Sequence, residues 1–153
     1  MPPRPRLIHL LNSAQRRLQL WVAGEQRRVA GATGTAPSAA QGGLLFLLHK
    51  QDGATMGELA QALDLVPSAI SGLVQRSEAL GWTRRAPCPL DARTQRVWLQ
   101  PAGRAQLPAL RQALALINAQ LSEGFTDAEL QTVARWLQHV QRLGLSSPNP
   151  PHD

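Results

Sequence analysis

The chain has 153 residues, is 43% hydrophobic and 17% charged, carries a net charge of +6 and contains one cysteine. A single cysteine excludes an intrachain disulfide and the cysteine-rich zinc modules. No apolar run is longer than five residues, as at residues 44–48, which is far shorter than the ~18 residues of a membrane span, and no apolar signal region follows the basic amino terminus. We therefore expect a cytoplasmic protein with no membrane partner.

Positive charge is concentrated in two segments of the chain. Residues 1–31 carry a net charge of +5 and residues 76–96 a net charge of +3, and the sequence pI is about 11.4. This distribution favours a polyanionic partner such as a nucleic acid. However, 15 of the 16 basic residues are arginine, a bias that genomic composition also produces, so charge alone does not decide the class of partner.

Two helices are predicted in the first third of the chain. Apolar residues recur at helical spacing from about residue 6 to residue 30, and the segment 31–37, which contains glycine and proline, breaks this helix. Ser38 begins a second helix, because Gln41 three residues later completes a capping box. The apolar run at residues 44–48 covers most of the circumference of that helix, which is therefore expected to be buried.

Two further helices follow. Thr55 and Glu58 form a capping box that begins the first of them, and Asp64 suits the left-handed turn that ends it. Pro67 suits the first turn of the next helix, which is expected to run to Leu80. The residues that these two helices are expected to direct inward are Met56, Leu59, Ala60, Leu63, Ile70, Leu73, Val74 and Leu80.

The hydrophobic period then changes to that of strands. Residues 82–86 and 95–99 are predicted to form a two-stranded ribbon, joined by a loop that contains two prolines. Trp82 and Trp98 lie on these strands, and we expect them to anchor the ribbon to the helices rather than to line a ligand cavity.

Two long helices are predicted after the ribbon. Pro101 begins the first, in which apolar residues repeat at three- and four-residue spacing as far as Leu121. Thr126 begins the second, with Glu129 completing a capping box, and Gly144 ends it. The apolar stripes of these helices and of the first helix have few partners in a chain of this length. A second copy of the chain is therefore expected to cover them.

The middle of the chain follows the order of a winged helix-turn-helix domain. The small Ala60 lets the two short helices approach closely, and Ile70 packs between them. The segments Gly81-Trp82-Thr83-Arg84-Arg85, Asp91-Ala92-Arg93-Thr94 and Pro101-Ala102-Gly103 then succeed one another. This succession resembles the MarR (multiple antibiotic resistance regulator) family, and the resemblance extends over nearly the whole chain.

The resemblance implies a mainly α fold with a small β-wing, comprising six helices and a wing of two or three strands. It divides the chain into an amino-terminal tail and dimerisation helix (1–36), a winged helix-turn-helix DNA-binding domain (38–100), carboxy-terminal dimerisation helices (101–144) and a disordered tail (145–153). In this family the first and the last two helices intertwine in a homodimer. The residues expected at that interface are Leu7, Leu10, Leu11, Leu110, Leu114, Ile117, Leu121, Val133, Leu137 and Val140.

The resemblance also implies DNA contacts from the fourth helix and the wing. The fourth helix is expected to enter the major groove, and Arg93 at the ribbon tip suits a narrow minor groove. Asp91 is expected to orient Arg93 by a charge-assisted hydrogen bond. The alternative is an ordinary solvated helix face and a surface ion pair. The expected DNA-binding residues are Ser68, Ala69, Ser71, Gly72, Gln75 and Arg76 on the helix, and Arg84, Arg85, Asp91, Arg93, Thr94 and Arg96 on the wing.

Two features of the fourth helix depart from the family. A basic residue often occupies the position of Gly72, and a stronger capping residue often occupies that of Val66.

The expected function is that of a homodimeric repressor that binds a palindromic operator and whose repression is relieved by a small aromatic or phenolic ligand. The alternative, which the uncharged Gly72 favours, is a winged-helix module for protein–protein interaction without operator binding. The residues expected to line a ligand pocket are His9, Trp21 and His49.

The remaining reactive residues carry weaker signals. Cys88 lies in the wing loop as an exposed thiol, and nearby arginines could lower its pKa and make it a redox switch, although a lone thiol is more often incidental. His9, His49 and His139 lie on three helices and lack the spacing and the carboxylates of a metal site. No catalytic motif or dinucleotide loop is present, so we expect no enzyme activity, cofactor or metal.

Overall fold

The computed structural model describes residues 6–30 and 36–143, with the side chains of residues 26–30 excepted. The predicted helix break at 31–35, the terminating Gly144 and both predicted tails lie outside the described residues. In chain order the elements are α1 (Leu7–Ala30), α2 (Ala39–Lys50), β1 (Ala54–Thr55), α3 (Met56–Ala62), α4 (Pro67–Ala79), β2 (Thr83–Cys88), β3 (Asp91–Leu99), α5 (Pro101–Arg104), α6 (Leu107–Ser122) and α7 (Asp127–Leu143). The predicted fold class, mainly α with a small wing, is confirmed.

The predicted capping boxes are present. The backbone N–H of Ser38 donates to Gln41 Oε1 at 2.9 Å, and that of Thr55 donates to Glu58 Oε2 at 2.7 Å. Asp64 adopts a positive φ of 53°, as the turn between α3 and α4 requires. The two capping boxes fix where α2 and α3 begin, because each satisfies backbone N–H groups at the start of its helix, whereas α4 begins after Val66 without a side-chain cap.

The three strands form one antiparallel sheet in the order β1-β3-β2. Ala54 pairs with Val97, and the hairpin of β2 and β3 extends from the Thr83–Leu99 pair to the Cys88–Asp91 pair. Both hairpin strands are longer than predicted. Pro87 is accommodated within β2 because that strand is at the edge of the sheet, where a missing N–H costs no ladder bond.

The core lies beneath α4 and the sheet. Its fully buried leucines on α2 confirm that this helix is internal, and Trp82 is only 4% exposed. Leu80 was predicted to point inward, and this is wrong: α4 ends at Ala79, and Leu80 in the following turn is 38% exposed. The core residues are Leu44, Leu45, Leu48, Ala54, Leu59, Ile70, Leu73, Val74, Trp82, Val97, Leu99 and Leu107.

Chain contacts divide the protein into two compact units, with the boundary between Ala113 and Leu114. The first unit contains the winged-helix elements together with α1, on which Leu7 and Leu10 are exposed. In the second unit, α7 has no buried residue, although its sequence is strongly amphipathic. The sequence predicts one continuous helix from Pro101, whereas the structure interrupts it at Ala105 and Gln106, so α5 is a separate four-residue helix.

Candidate nucleic-acid interface

Helix α4 buries one face and exposes the other. Ile70, Leu73 and Val74 are at most 2% exposed and hold the helix against the core. Of the six residues predicted to contact DNA, Ala69 and Gly72 are half-buried and the other four are exposed. Those four are Ser68, Ser71, Gln75 and Arg76, and none of their side chains has a hydrogen-bond partner among the described residues. The face is therefore a set of polar groups whose donors and acceptors are available to a ligand.

The wing arginines divide into two free and two occupied side chains. Arg84 and Arg93 are exposed, and their guanidinium groups have no partner within the described parts of the chain. Arg85 is held by Glu78, with its Nε 2.8 Å from Glu78 Oε2. Arg96 is turned inward and donates from Nη1 to the carbonyl oxygen of Gly53 at 2.7 Å. Arg84 and Arg93 are therefore the wing arginines whose guanidinium groups are available to a polyanion.

The tip of the wing is shaped by Asp91. Its Oδ1 accepts the backbone N–H of Arg93 at 3.0 Å, and its Oδ2 accepts the hydroxyl of Thr94 at 3.0 Å. Asp91 does bond to Arg93 as expected, but through the backbone rather than the guanidinium. The arginine head is therefore left unpaired while the backbone that carries it is fixed.

Cys88 was expected to be exposed, and this is wrong. The residue is only 8% exposed, because β2 extends as far as Cys88 and Arg96 from β3 covers it. Arg96 Nε donates to Cys88 Sγ at 3.3 Å. This hydrogen bond, followed by bonds from the backbone of Leu90 and Asp91, lowers the pKa of the Cys88 thiol. The same pairing raises the pKa of Arg96.

Two acidic residues that position this surface were missed by sequence reasoning. Glu78 joins α4 to β2, as described above. Asp52, just after α2, accepts the backbone N–H of Leu99 at 2.8 Å and Arg104 Nη2 at 2.9 Å, and so joins the end of β3 to α5. The partners are 7 and 47–52 residues away. The only sequence signal is that each acid lies near the end of a helix, where its charge does not favour the helix dipole.

The other predicted residues are placed as follows. Leu110 packs against the winged-helix core, with its side chain 3.2 Å from where a Cβ on Gly42 would stand. His9 and His49 are exposed and Trp21 is half-buried. Among the described residues, no group of three or more His, Cys, Asp or Glu side chains is placed to hold a metal ion. Within those same residues, no helix is both long and apolar enough to cross a membrane.

The remaining predicted interface residues are apolar and incompletely covered. Leu11, Ile117 and Val140 are half-buried. The others are between 40% and 55% exposed, and they are Leu7, Leu10, Leu114, Leu121, Val133 and Leu137.

These elements define a winged helix-turn-helix protein, and the comparisons with known proteins agree. Residues 34–94 match the model of the MarR family. The winged-helix domain of the chain is therefore similar to that family, and the chain as a whole has the fold of MarR family transcription regulators.

Several solved structures share this fold. A probable transcriptional regulator from Pseudomonas aeruginosa is 25% identical with a TM-score of 0.76, covering 88% of this chain and 96% of that one. The MarR family transcription regulator SP03579 is 26% identical with a TM-score of 0.72, covering 92% and 91%. BpsR of Bordetella bronchiseptica, whose DNA binding is regulated by 6-hydroxynicotinic acid, is 21% identical with a TM-score of 0.75, covering 90% and 99%. The sequence matches no curated protein at a significant level.

Proposed function

We propose that the protein is a homodimeric transcription regulator that binds a palindromic operator in double-stranded DNA and acts in the cytoplasm as a repressor. The observation that carries the proposal is the unbonded polar face of α4 beside a wing with two unpaired arginines. A helix of this size fits the major groove, where Ser68 and Ser71 can bond to base edges or phosphates and Gln75 can bond to adenine in a bidentate manner.

The wing would supply affinity through the phosphate backbone and the minor groove. Arg93 lies next to the tip of the hairpin, and a narrow A·T-rich minor groove concentrates negative potential that attracts such a side chain. Arg84 is exposed on β2 and is suited to a phosphate contact. Contacts of this kind release counterions, so the affinity is expected to fall steeply as salt rises.

Dimerisation would bring two winged-helix domains together on one DNA site. Helices α1, α6 and α7 expose more leucine and valine side chains than is usual for a helix face in water. A second copy of the chain would cover these side chains. Two-fold symmetry then presents two α4 helices to successive major grooves about one helical turn apart, which requires a palindromic site.

A small ligand would control the equilibrium between binding and non-binding shapes. Regulation of BpsR by 6-hydroxynicotinic acid supports an aromatic or phenolic effector for this chain, with His9, Trp21 and His49 as its lining residues. Such a ligand can relieve repression only by binding the two shapes with different affinities.

The direct test is binding to the DNA upstream of the protein's own gene, measured by fluorescence anisotropy at about 50 and about 200 mM salt. We expect preference over a scrambled duplex and a steep salt dependence. Arg93→Ala should weaken binding and reduce the salt slope by about one, whereas Arg111→Ala, an exposed arginine outside the proposed interface, should have little effect. Equally weak binding to all duplexes would contradict the proposal and favour the protein-interaction module.

A further inference from the structure

Arg76 and Gly72 lie one turn apart on the exposed face of α4. A Cβ built on Gly72 would stand 3.2 Å from Arg76 Nη1, which shows that the guanidinium lies back along the helix over the glycine. Side chains of an α-helix lean toward its amino terminus, so a residue four positions later covers the surface of an earlier one. The head group of Arg76 is thereby carried toward the amino-terminal turns of α4, well ahead of its own Cα.

The charge of Arg76 is not neutralised by its surroundings. It is the only basic residue of α4, and its side chain has no partner among the described residues. The nearest acid along the helix, Glu78, accepts hydrogen bonds from Arg85 of β2. Its carboxylate is therefore already engaged and does not pair with Arg76. A lone, uncompensated guanidinium that extends from the last turn of α4 back over Gly72 is therefore the strongest donor that α4 offers.

We infer that Arg76 is a specificity-determining residue that reads a guanine in the major groove, and that Gly72 makes room for it to do so. This inference rests on the proposed function and gives the uncharged position 72 a purpose. The planar guanidinium presents two parallel donors, which match O6 and N7 of guanine. A Cβ at position 72 would stand 3.2 Å from Arg76 Nη1, so a larger side chain there would displace the guanidinium from this place.

The test is selection of bound sequences from a randomised duplex library by the intact protein and three variants. Wild type is expected to select a palindrome with a guanine in each half-site. Arg76→Ala should lower binding to that sequence by roughly 5- to 150-fold and abolish the guanine preference, leaving the rest of the site unchanged. Arg76→Lys should also lose the guanine preference, because lysine keeps the positive charge but lacks the two parallel donors of the guanidinium.

A third variant, Gly72→Leu, keeps Arg76 and fills the space beneath its guanidinium. It is expected to weaken the guanine preference while Arg76 is still present. Arg111→Ala is the matched control for loss of one arginine, and circular dichroism checks that every variant is folded.

The outcomes distinguish a failure of the proposed function from a failure of the role inferred for Arg76. If wild type selects no sequence, the proposed function is wrong. If wild type selects a palindrome and Arg76→Ala selects the same guanines, or weakens binding to every sequence equally, the function stands and this inference is overturned. If Gly72→Leu keeps the full guanine preference, the stated role of Gly72 is wrong.

Discussion

Glu78 on α4 holds Arg85 on β2 by two hydrogen bonds. The backbone N–H of Arg85 donates to Glu78 Oε1 at 2.6 Å, and Arg85 Nε donates to Glu78 Oε2 at 2.8 Å. One carboxylate therefore ties the helix that would read the major groove to the strand that leads to the wing. The pair makes Arg85 a structural residue, although its position in the sequence predicts a DNA contact.

Glu78→Ala tests this connection between helix and wing. Loss of the two charge-assisted bonds should lower the free energy of unfolding by about 1 kcal/mol, since the pair is partly exposed. The ratio of operator to scrambled-DNA affinity should fall, because the spacing of α4 and the wing is no longer fixed. Glu123→Ala, which removes one exposed acid from the second unit, is the control. An unchanged ratio in Glu78→Ala would show that the Glu78–Arg85 pair does not position α4 relative to the wing.

Asp91→Ala separates geometry from charge at the wing tip. Removing a negative charge near phosphate should strengthen binding if charge alone matters. We expect the opposite, a loss of about 2- to 12-fold in operator affinity, because the bonds to the Arg93 backbone and the Thr94 hydroxyl no longer order the tip. The measurement is anisotropy at fixed salt. Tighter binding by the variant would show that Asp91 has no positioning role.

The interaction of Cys88 with Arg96 predicts a pH dependence. Because the folded protein lowers the pKa of the thiol, the free energy of unfolding should rise with pH between the folded-state pKa and the ordinary value near 9.0. That contribution should be lost as the pH falls through the folded-state pKa. The chain has no tyrosine, so thiolate absorbance in the ultraviolet can be titrated without interference from tyrosinate. Arg96→Gln should move the midpoint upward, and an unmoved midpoint would contradict the assigned hydrogen bond.

The sequence predicted best what short-range chemistry decides. The capping boxes at Ser38 and Thr55 and the left-handed Asp64 depend on residues at most three positions apart, and all three are confirmed. Strand ends were less well predicted, since Cys88 joins β2 through pairing with Asp91 that no local pattern encodes. For the same reason the sequence pattern did not locate β1, which is only two residues long, although the family resemblance implied a wing of two or three strands.

At the candidate site too, local sequence patterns predict some features, and contacts between distant residues decide the others. Periodicity alone indicates which face of α4 is exposed, because Ile70 and Leu73 must face the core. It does not indicate which arginines are free, since the partners of Arg85 and Arg96 come from other elements. The sequence therefore predicts more cationic contacts than the structure leaves available, because Arg85 and Arg96 are held by partners within the chain.

Leu114→Asp tests the proposed dimer interface. Leu114 on α6 is 45% exposed, and a second copy that covers it could not accommodate a buried, unpaired carboxylate. The variant should be monomeric or insoluble when the wild type is a dimer. Leu90→Asp is the matched control, because Leu90 lies on the wing and is 96% exposed. A soluble Leu114→Asp dimer would contradict the assigned interface.

Sedimentation equilibrium of the protein mixed with a duplex from its own promoter measures whether two chains together present two α4 helices and two wings to one DNA site. We predict a complex with the mass of two chains and one duplex, formed with the promoter and not with a scrambled sequence at the same salt. A protein that remains a single chain, or a complex whose formation does not depend on sequence, would contradict the account.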